Sequence, residues 1–219
     1  MTGTLTFLLV AAASQIASFP DFPVQPASNY RVSATKSGIT VAIHPVVDSK
    51  EQKTYFGFDL TKKGYIPILV VVGNSYDGSV LLIKDRASVY RPAAALEPGS
   101  APTARTRQGE ALMITDGVLD AAVNVGYVVF AGVGGAGNPV PLGLMGDHMA
   151  SQAVAVQHNL LKKELQSRTL PRGTSAHGFI FARVPKKFEG PLLVRIELTG
   201  SGQTDSLRFD LATAPLKLE

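Results

Sequence analysis

The chain has 219 residues, of which 45% are hydrophobic and 17% charged, and a formal net charge of +4. It contains no cysteine, which excludes disulfides, thiolate metal sites, cysteine nucleophiles and an acylated amino-terminal cysteine, while its length suffices for a core without such staples. The charged share lies below the roughly 25% usual for soluble domains, and the basic residues form scattered pairs rather than an aromatic-interleaved stripe, which argues against nucleic-acid binding and for an extracytoplasmic or membrane-associated address.

The amino terminus, "TLTFLLVAAASQIAS" from Thr4 to Ser18, carries an apolar block from Leu5 to Ala13 followed by small residues and the proline-rich "FPDFPVQP". The block has the length of a signal-peptide core and is too short to span a bilayer comfortably. Cleavage after Ser14 or Ser18 fits the small residues, although no Lys or Arg precedes Arg31. Residues 1–22 are therefore expected to be a signal peptide or an amino-terminal hydrophobic anchor.

Residues 23–98 read as the first half of a β-sandwich. "YRVSATKSGITVAIHPV" holds two alternating runs, Tyr30 to Thr35 and Ile39 to Val46, around a Lys36-Ser37-Gly38 turn. In the second run Ile39, Val41 and Ile43 share one face, and Thr40, Ala42 and His44 the other. "KTYFGFDL" follows within the same strand-rich region. Ile66 to Val72 is almost continuously apolar, as a strand covered on both faces would be. Asn74 to Gly78 is rich in turn formers, with Asp77-Gly78 suited to positive φ, and Val80 to Ile83 reads as the returning strand. "ASVYRP" reads as a further short strand or edge.

Residues 99–168 break the pattern. Pro92, Pro98 and Pro102 among small residues mark a linker. An apolar helical hairpin is expected beyond it, one helix around Glu110 to Ala131 and a second from Leu142 to Ser167. In the first, Gly117 with Ala121, and Ala122 with Gly126, give the small-xxx-small spacing that lets helix backbones approach closely. Val125, Val129 and Phe130 supply apolar area, and Gly132 ends the helix. In the second, Leu142, Met145, Met149, Ala153, Val156 and Leu160 form one stripe, and Lys162 and Lys163 suit the negative end of the helix dipole. Gly132, Gly134 and Gly137 spell G-x-G-x-x-G, but Pro139 and Pro141 block the helix a dinucleotide fold requires there, so no nucleotide is expected. The block from Val118 to Val133 is short for a lone span and contains Asp120 and Asn124; an ionised Asp near the bilayer centre costs about 2.5–3.5 kcal/mol. A hairpin packed on itself, on the sandwich or on identical neighbours avoids most of that cost. Strand grammar resumes in "TLPRGTSAHGFIFARV", "GPLLVRIEL" and "DSLRFDLAT", so residues 169–219 read as the second half of the sandwich.

Catalytic and metal chemistry is sparse. His148 and His158 share the second helix but lie about ten residues apart, roughly 80° apart in direction, unlike the i, i+4 pair of a zinc helix. Asp147 and His148 are adjacent and point apart. Asp59, Asp77, Asp85, Asp116, Asp120 and Asp147 form no local pair, and neither a nucleophile elbow nor a phosphate loop occurs. No catalytic, cofactor or metal residue is assigned.

"KTYFGFDLTKKGYIPILVVVGN", the glycine- and alanine-rich middle and "LKKELQSRTLPRGTSAHGFIFARV" together resemble a broad group of uncharacterised bacterial exported proteins and lipoproteins. The matching positions are Tyr55, Phe56, Gly57 and Asp59, then Leu170, Pro171, Gly173, Gly178 and Phe179. The resemblance implies an immunoglobulin-like antiparallel β-sandwich with a glycine-rich helical insertion and a periplasmic or cell-envelope address, and it implies no activity. The chain departs from the lipoprotein members in lacking a cysteine to acylate. The expected function is a non-enzymatic structural or interaction protein, an accessory subunit whose hairpin touches a membrane, a membrane-protein complex or identical copies. The interaction residues are Gly117, Ala121, Ala122, Val125, Gly126, Val129, Phe130 and Gly132. The alternative is an exported module that binds a glycan or peptide through loops near Ser75 to Gly78 and Thr199 to Thr204, where Tyr76 is the sole aromatic.

Overall fold

The turn at Lys36-Ser37-Gly38 forms where its composition places it. In the computed structural model, which describes residues 19–92, 111–112, 155–185, 187–200 and 206–218, β1 (Val32–Lys36) and β2 (Ile39–Pro45) pair antiparallel with Lys36 opposite Ile39. Both connecting residues take positive φ, Ser37 at 50° and Gly38 at 77°, as a two-residue hairpin with native twist requires. Gly38 is needed for space as well, because a Cβ there would lie 3.0 Å from the Tyr76 backbone.

The protein is mainly β, and its sheets are antiparallel. Sheet A runs β1-β2-β3-β7, with β3 (Tyr65–Asn74) and β7 (Ser175–Arg183). Sheet B runs β10-β9-β4-β5, with β4 (Val80–Tyr90), β5 (Ala111–Leu112), β9 (Leu193–Gly200) and β10 (Ser206–Ala212); β6 (Arg168–Leu170) also pairs with β4. A small ribbon joins β8 (Glu189–Gly190) to β11 (Leu216–Lys217). Both sheets combine strands from before residue 92 with strands from after residue 168, so the two sequence halves build one body.

Alternation decides which face each residue takes. Ile39, Val41 and Ile43 of β2, with Ile66, Ile68 and Val70 of β3, point into a core shared with Val194, Ile196, Leu198 and Phe209 of sheet B. The opposite face of sheet A carries Ala42, Leu69, Val71, Phe179 and Phe181 in a second core. β3 is thus buried on both sides, and each fully buried large side chain contributes about 1.5–3 kcal/mol. Its unbroken apolar run follows directly from that placement.

The second core is closed by two helices and the proline-rich segment. α1 (Ser49–Phe56) lies where no helix is expected and takes in the first four residues of "KTYFGFDL". Its start is fixed by Asp48, whose side chain accepts from the Glu51 amide at 2.8 Å. Gly57 ends it in the left-handed conformation at φ 89°. A helix at residues 155–163, α2, falls inside the expected second helix. Its Val156 and Leu160 are buried in the second core, as the stripe predicts. Helix stops at Lys163 rather than Ser167 because the next residues pair with β7: the Leu165 amide donates to Phe179 O at 2.9 Å. Residues 113–154 of the expected hairpin lie outside the described residues, as do residues 1–18 of the expected signal peptide or anchor and residues 93–110 of the expected linker.

Three further expectations are corrected. Val80 to Ile83 and "ASVYRP" belong to one strand, β4, in which a bulge between Leu82 and Ala87 sets four residues against Glu197 alone. The bulge shifts the alternation, so Val80 and Leu82 face the core before it and Ala87 and Val89 after it; read along the chain, that phase change looks like a break. The expected first helix around Glu110 contains a strand, β5, because Val89 and Tyr90 at the end of β4 still have pairing capacity that Leu112 and Ala111 fill. Neither Asp77 nor Gly78 takes positive φ. That turn is held by Asn74, whose amide nitrogen donates to Gly78 O and Leu170 O at 2.9 Å each while its oxygen accepts from the Tyr76 amide.

Candidate functional site

The eight expected interaction residues, Gly117, Ala121, Ala122, Val125, Gly126, Val129, Phe130 and Gly132, all lie outside the described residues. What the structure does define is how the chain leaves and rejoins the body around them. Before them β5 pairs with the end of β4 in sheet B. After them α2 lies against the outer face of sheet A, then residues 164–167 cross back to sheet B at β6.

The return is anchored by polar contacts that the helix geometry sets up. The last carbonyls of α1 lack intrahelical partners, and α2 supplies them: Asn159 Nδ2 donates to Tyr55 O at 2.9 Å and Lys163 Nζ to the same oxygen at 2.6 Å. Lys163 Nζ also donates to Pro20 O at 2.7 Å, tying down the proline-rich segment. Lys163 is only 8% exposed. Burial pushes its pKa down to about 8 and neighbouring Lys162 adds to that, while Asp21 opposes it. Beyond the helix, Glu164 pairs with Lys84 at 2.7 Å and Ser167 Oγ accepts from the Lys84 amide at 2.8 Å. The β4 bulge, which contains Lys84, therefore grips the crossing segment from below.

Over the outer face runs the segment from Phe19 to Pro26, with Phe19, Phe22 and Val24 packed on the second core. Phe22 meets Tyr55 and Phe179 edge-on, with centroids 4.8 and 5.3 Å apart, an arrangement favoured by ring quadrupoles. Gly57 leaves room for Phe19, since a Cβ there would stand 2.6 Å from that ring. Nearby, Asp59 accepts from Ser49 Oγ and Thr61 Oγ1 at 2.6 Å each and from the Lys62 amide at 3.2 Å. Burial raises its pKa, but the three hydrogen bonds and the charge of Lys62 together outweigh that and hold the carboxyl below its ordinary value. This is a structural lock on the α1 to β3 connection.

Where the aromatic cover ends, a cleft of about 430 Å³ opens on the same face. Val71 and Gly73 form its floor; residues 24–27 form one wall, and Ser75, residues 173–175 and His177 the other. Register explains the grouping: Gly73 stands opposite Ser175 and Val71 opposite His177. The cleft has no counterpart among the expected interaction residues. Its sequence signal was Gly73, a glycine that closes the apolar run of β3 just before Asn74. Of the loops expected in the alternative reading, Ser75 lines this cleft, Tyr76 packs on the core between the sheets, and Thr199 Oγ1 accepts from Arg86 at 3.0 Å. Residues 201–204 of the second loop lie outside the described residues.

His44, His158 and His177 are exposed, and His148 lies outside the described residues. Among the described residues no three His, Asp or Glu side chains gather into a group that could hold a metal ion, and no helix is long and apolar enough to cross a membrane. No protein-family profile, curated protein or solved structure matches this chain.

Proposed function

We propose that this chain is a non-enzymatic structural or interaction protein of the cell envelope. An immunoglobulin-like β-sandwich holds an apolar helical insertion, which makes contact with a membrane, a membrane-protein complex or identical copies. The observation that carries this reading is the anchoring on either side of residues 113–154. β5 is stitched to sheet B before them, and Asn159, Lys163, Glu164 and Ser167 fix the return after them. A body built to hold both ends of an apolar, small-residue stretch is suited to presenting that stretch. The resemblance to exported bacterial proteins supports the envelope address, and the antiparallel sheets with a shared core support the sandwich.

The test replaces Ala122 and Gly126 together with Leu, which widens the small-residue face without adding charge. Wild type is expected to sediment as an assembly or to float with vesicles of phosphatidylethanolamine and phosphatidylglycerol. The double variant is expected to lose that behaviour while keeping its near-UV circular dichroism and thermal midpoint. Unchanged assembly and flotation in a folded variant would end the proposal.

A further inference from the structure

Gly73 has neither a left-handed backbone nor a close neighbour that would require glycine. It sits in β3, an interior strand of sheet A, where its φ is ordinary for a strand and a Cβ would meet nothing within 4 Å. Glycine in a strand costs roughly 0.5–1 kcal/mol relative to alanine, and a β-branched residue packs better still on a pleated face. The glycines with a conformational or steric duty, such as Gly38 against Tyr76 and Gly178 against Leu165, show what a required glycine looks like. At Gly73 the space left by the missing side chain opens into the cleft, and a bare strand position is one of the places where a ligand can come close to the backbone.

From this we infer that the cleft over Val71 and Gly73 binds a short neutral saccharide. Its volume of about 430 Å³ lies within the range of roughly 300–1,000 Å³ usual for small-molecule sites. Among the described residues no Asp, Glu, Lys or Arg lines it, so an ionised ligand would surrender hydration without a counter-charge. The polar groups that line it are of the other kind. Ser75, Ser175, the Gln25 amide and His177 each donate and accept, and their side chains make no hydrogen bond to other described residues. Beside them, Val24 and Pro26 give a small apolar surface, with the largely buried Ala27 and Val71 beneath. A sugar ring presents that same pairing, a hydroxyl edge that donates and accepts and a C–H face that packs on apolar groups. Gly73 lets the ring reach the strand itself.

This inference is independent of the assembly reading, because none of its residues belongs to the 113–154 stretch. The full chain is titrated with maltose, cellobiose and N,N′-diacetylchitobiose and followed by ¹⁵N-resolved NMR, with glucuronic acid as the charged comparison. At least one neutral disaccharide is expected to give saturable shifts centred on the amides of Gly73, Ser75, Thr174, Ser175 and His177. Gly73→Val is expected to weaken that binding about ten-fold or more while leaving the thermal midpoint unchanged or higher, and Ser175→Ala is expected to weaken it with the fold intact. Absence of shifts with all three disaccharides, tighter binding of glucuronic acid, or equal affinity in Gly73→Val overturns the site. A lowered midpoint in Gly73→Val also overturns it, since the glycine would then serve the fold.

Discussion

Gly178 and Gly73 lie in neighbouring strands, yet they predict opposite outcomes on substitution. A Cβ on Gly178 would stand 2.4 Å from Leu165 Cα, and the crossing segment is held there by backbone pairing to Phe179. Gly178→Ala is expected to destabilise by about 1–3 kcal/mol, as overpacking does, measured by urea unfolding; Gly73→Ala in the same assay is expected to be neutral or stabilising. Asp59 makes a second prediction at this scale. Its folded pKa is depressed, so its contribution is complete above the ordinary carboxylate value of 3.8 and fades as pH falls through the lower folded value. Asp59→Asn is expected to cost about 1–3 kcal/mol at neutral pH, and the gap from wild type is expected to close in acid. An increasing gap in acid would contradict this sign. Sequence revealed part of this layer. Gly57, Asp59, Leu170, Gly173 and Gly178 stood out as a pattern, but their partners Phe19, Ser49 and Leu165 come from other segments that periodicity cannot join.

Among the elements, the strands were legible and the helix α1 was not, though its signals were present. Asp48 followed by Glu51 is a start and Gly57 a stop; an eight-residue helix between strands is simply too short for its period to stand out against their alternation. β4 was read as two pieces because the bulge reverses which parity faces the core. α2 was legible in its stripe and its basic end, and Lys163 does more there than answer a helix dipole. It bonds Tyr55 O and Pro20 O, so α1, α2 and the proline-rich segment meet at one ammonium. Because burial lowers its pKa to about 8 from 10.5, the unfolded chain binds that proton more readily between the two values, and stability rises with pH across the window. Lys163→Met, which keeps the stem over Phe56, is expected to abolish this rise relative to wild type. The variant is also expected to speed amide exchange in residues 19–26, read by hydrogen–deuterium exchange mass spectrometry; an unchanged pH slope would show that Lys163 is not the titrating group, and unchanged exchange that it is not the latch.

On the scale of the whole molecule, the antiparallel β class was written in the spacing of strands and turns, whereas the cleft was not. It arises where register sets Gly73 beside Ser175 and where residues 24–27 fold over that end of the sheet, a conjunction of three distant segments. The body and the 113–154 stretch are expected to be separable in stability. Replacing that stretch by a glycine–serine linker of equal length is expected to leave the thermal midpoint within a few degrees, because both anchors lie outside it, and to remove assembly and vesicle flotation. A collapse of the midpoint would mean that the stretch is part of the body's own packing. The pairing of β3 with β7 and of β4 with β9 spans the entire excursion, and this carries a consequence for biosynthesis. Neither sheet can close until the ribosome has delivered the late strands, and such long-range pairing is slow even then. The apolar stretch is therefore translated before the strands that pair across it are complete, and any shelter it needs at that stage has to come from outside this body.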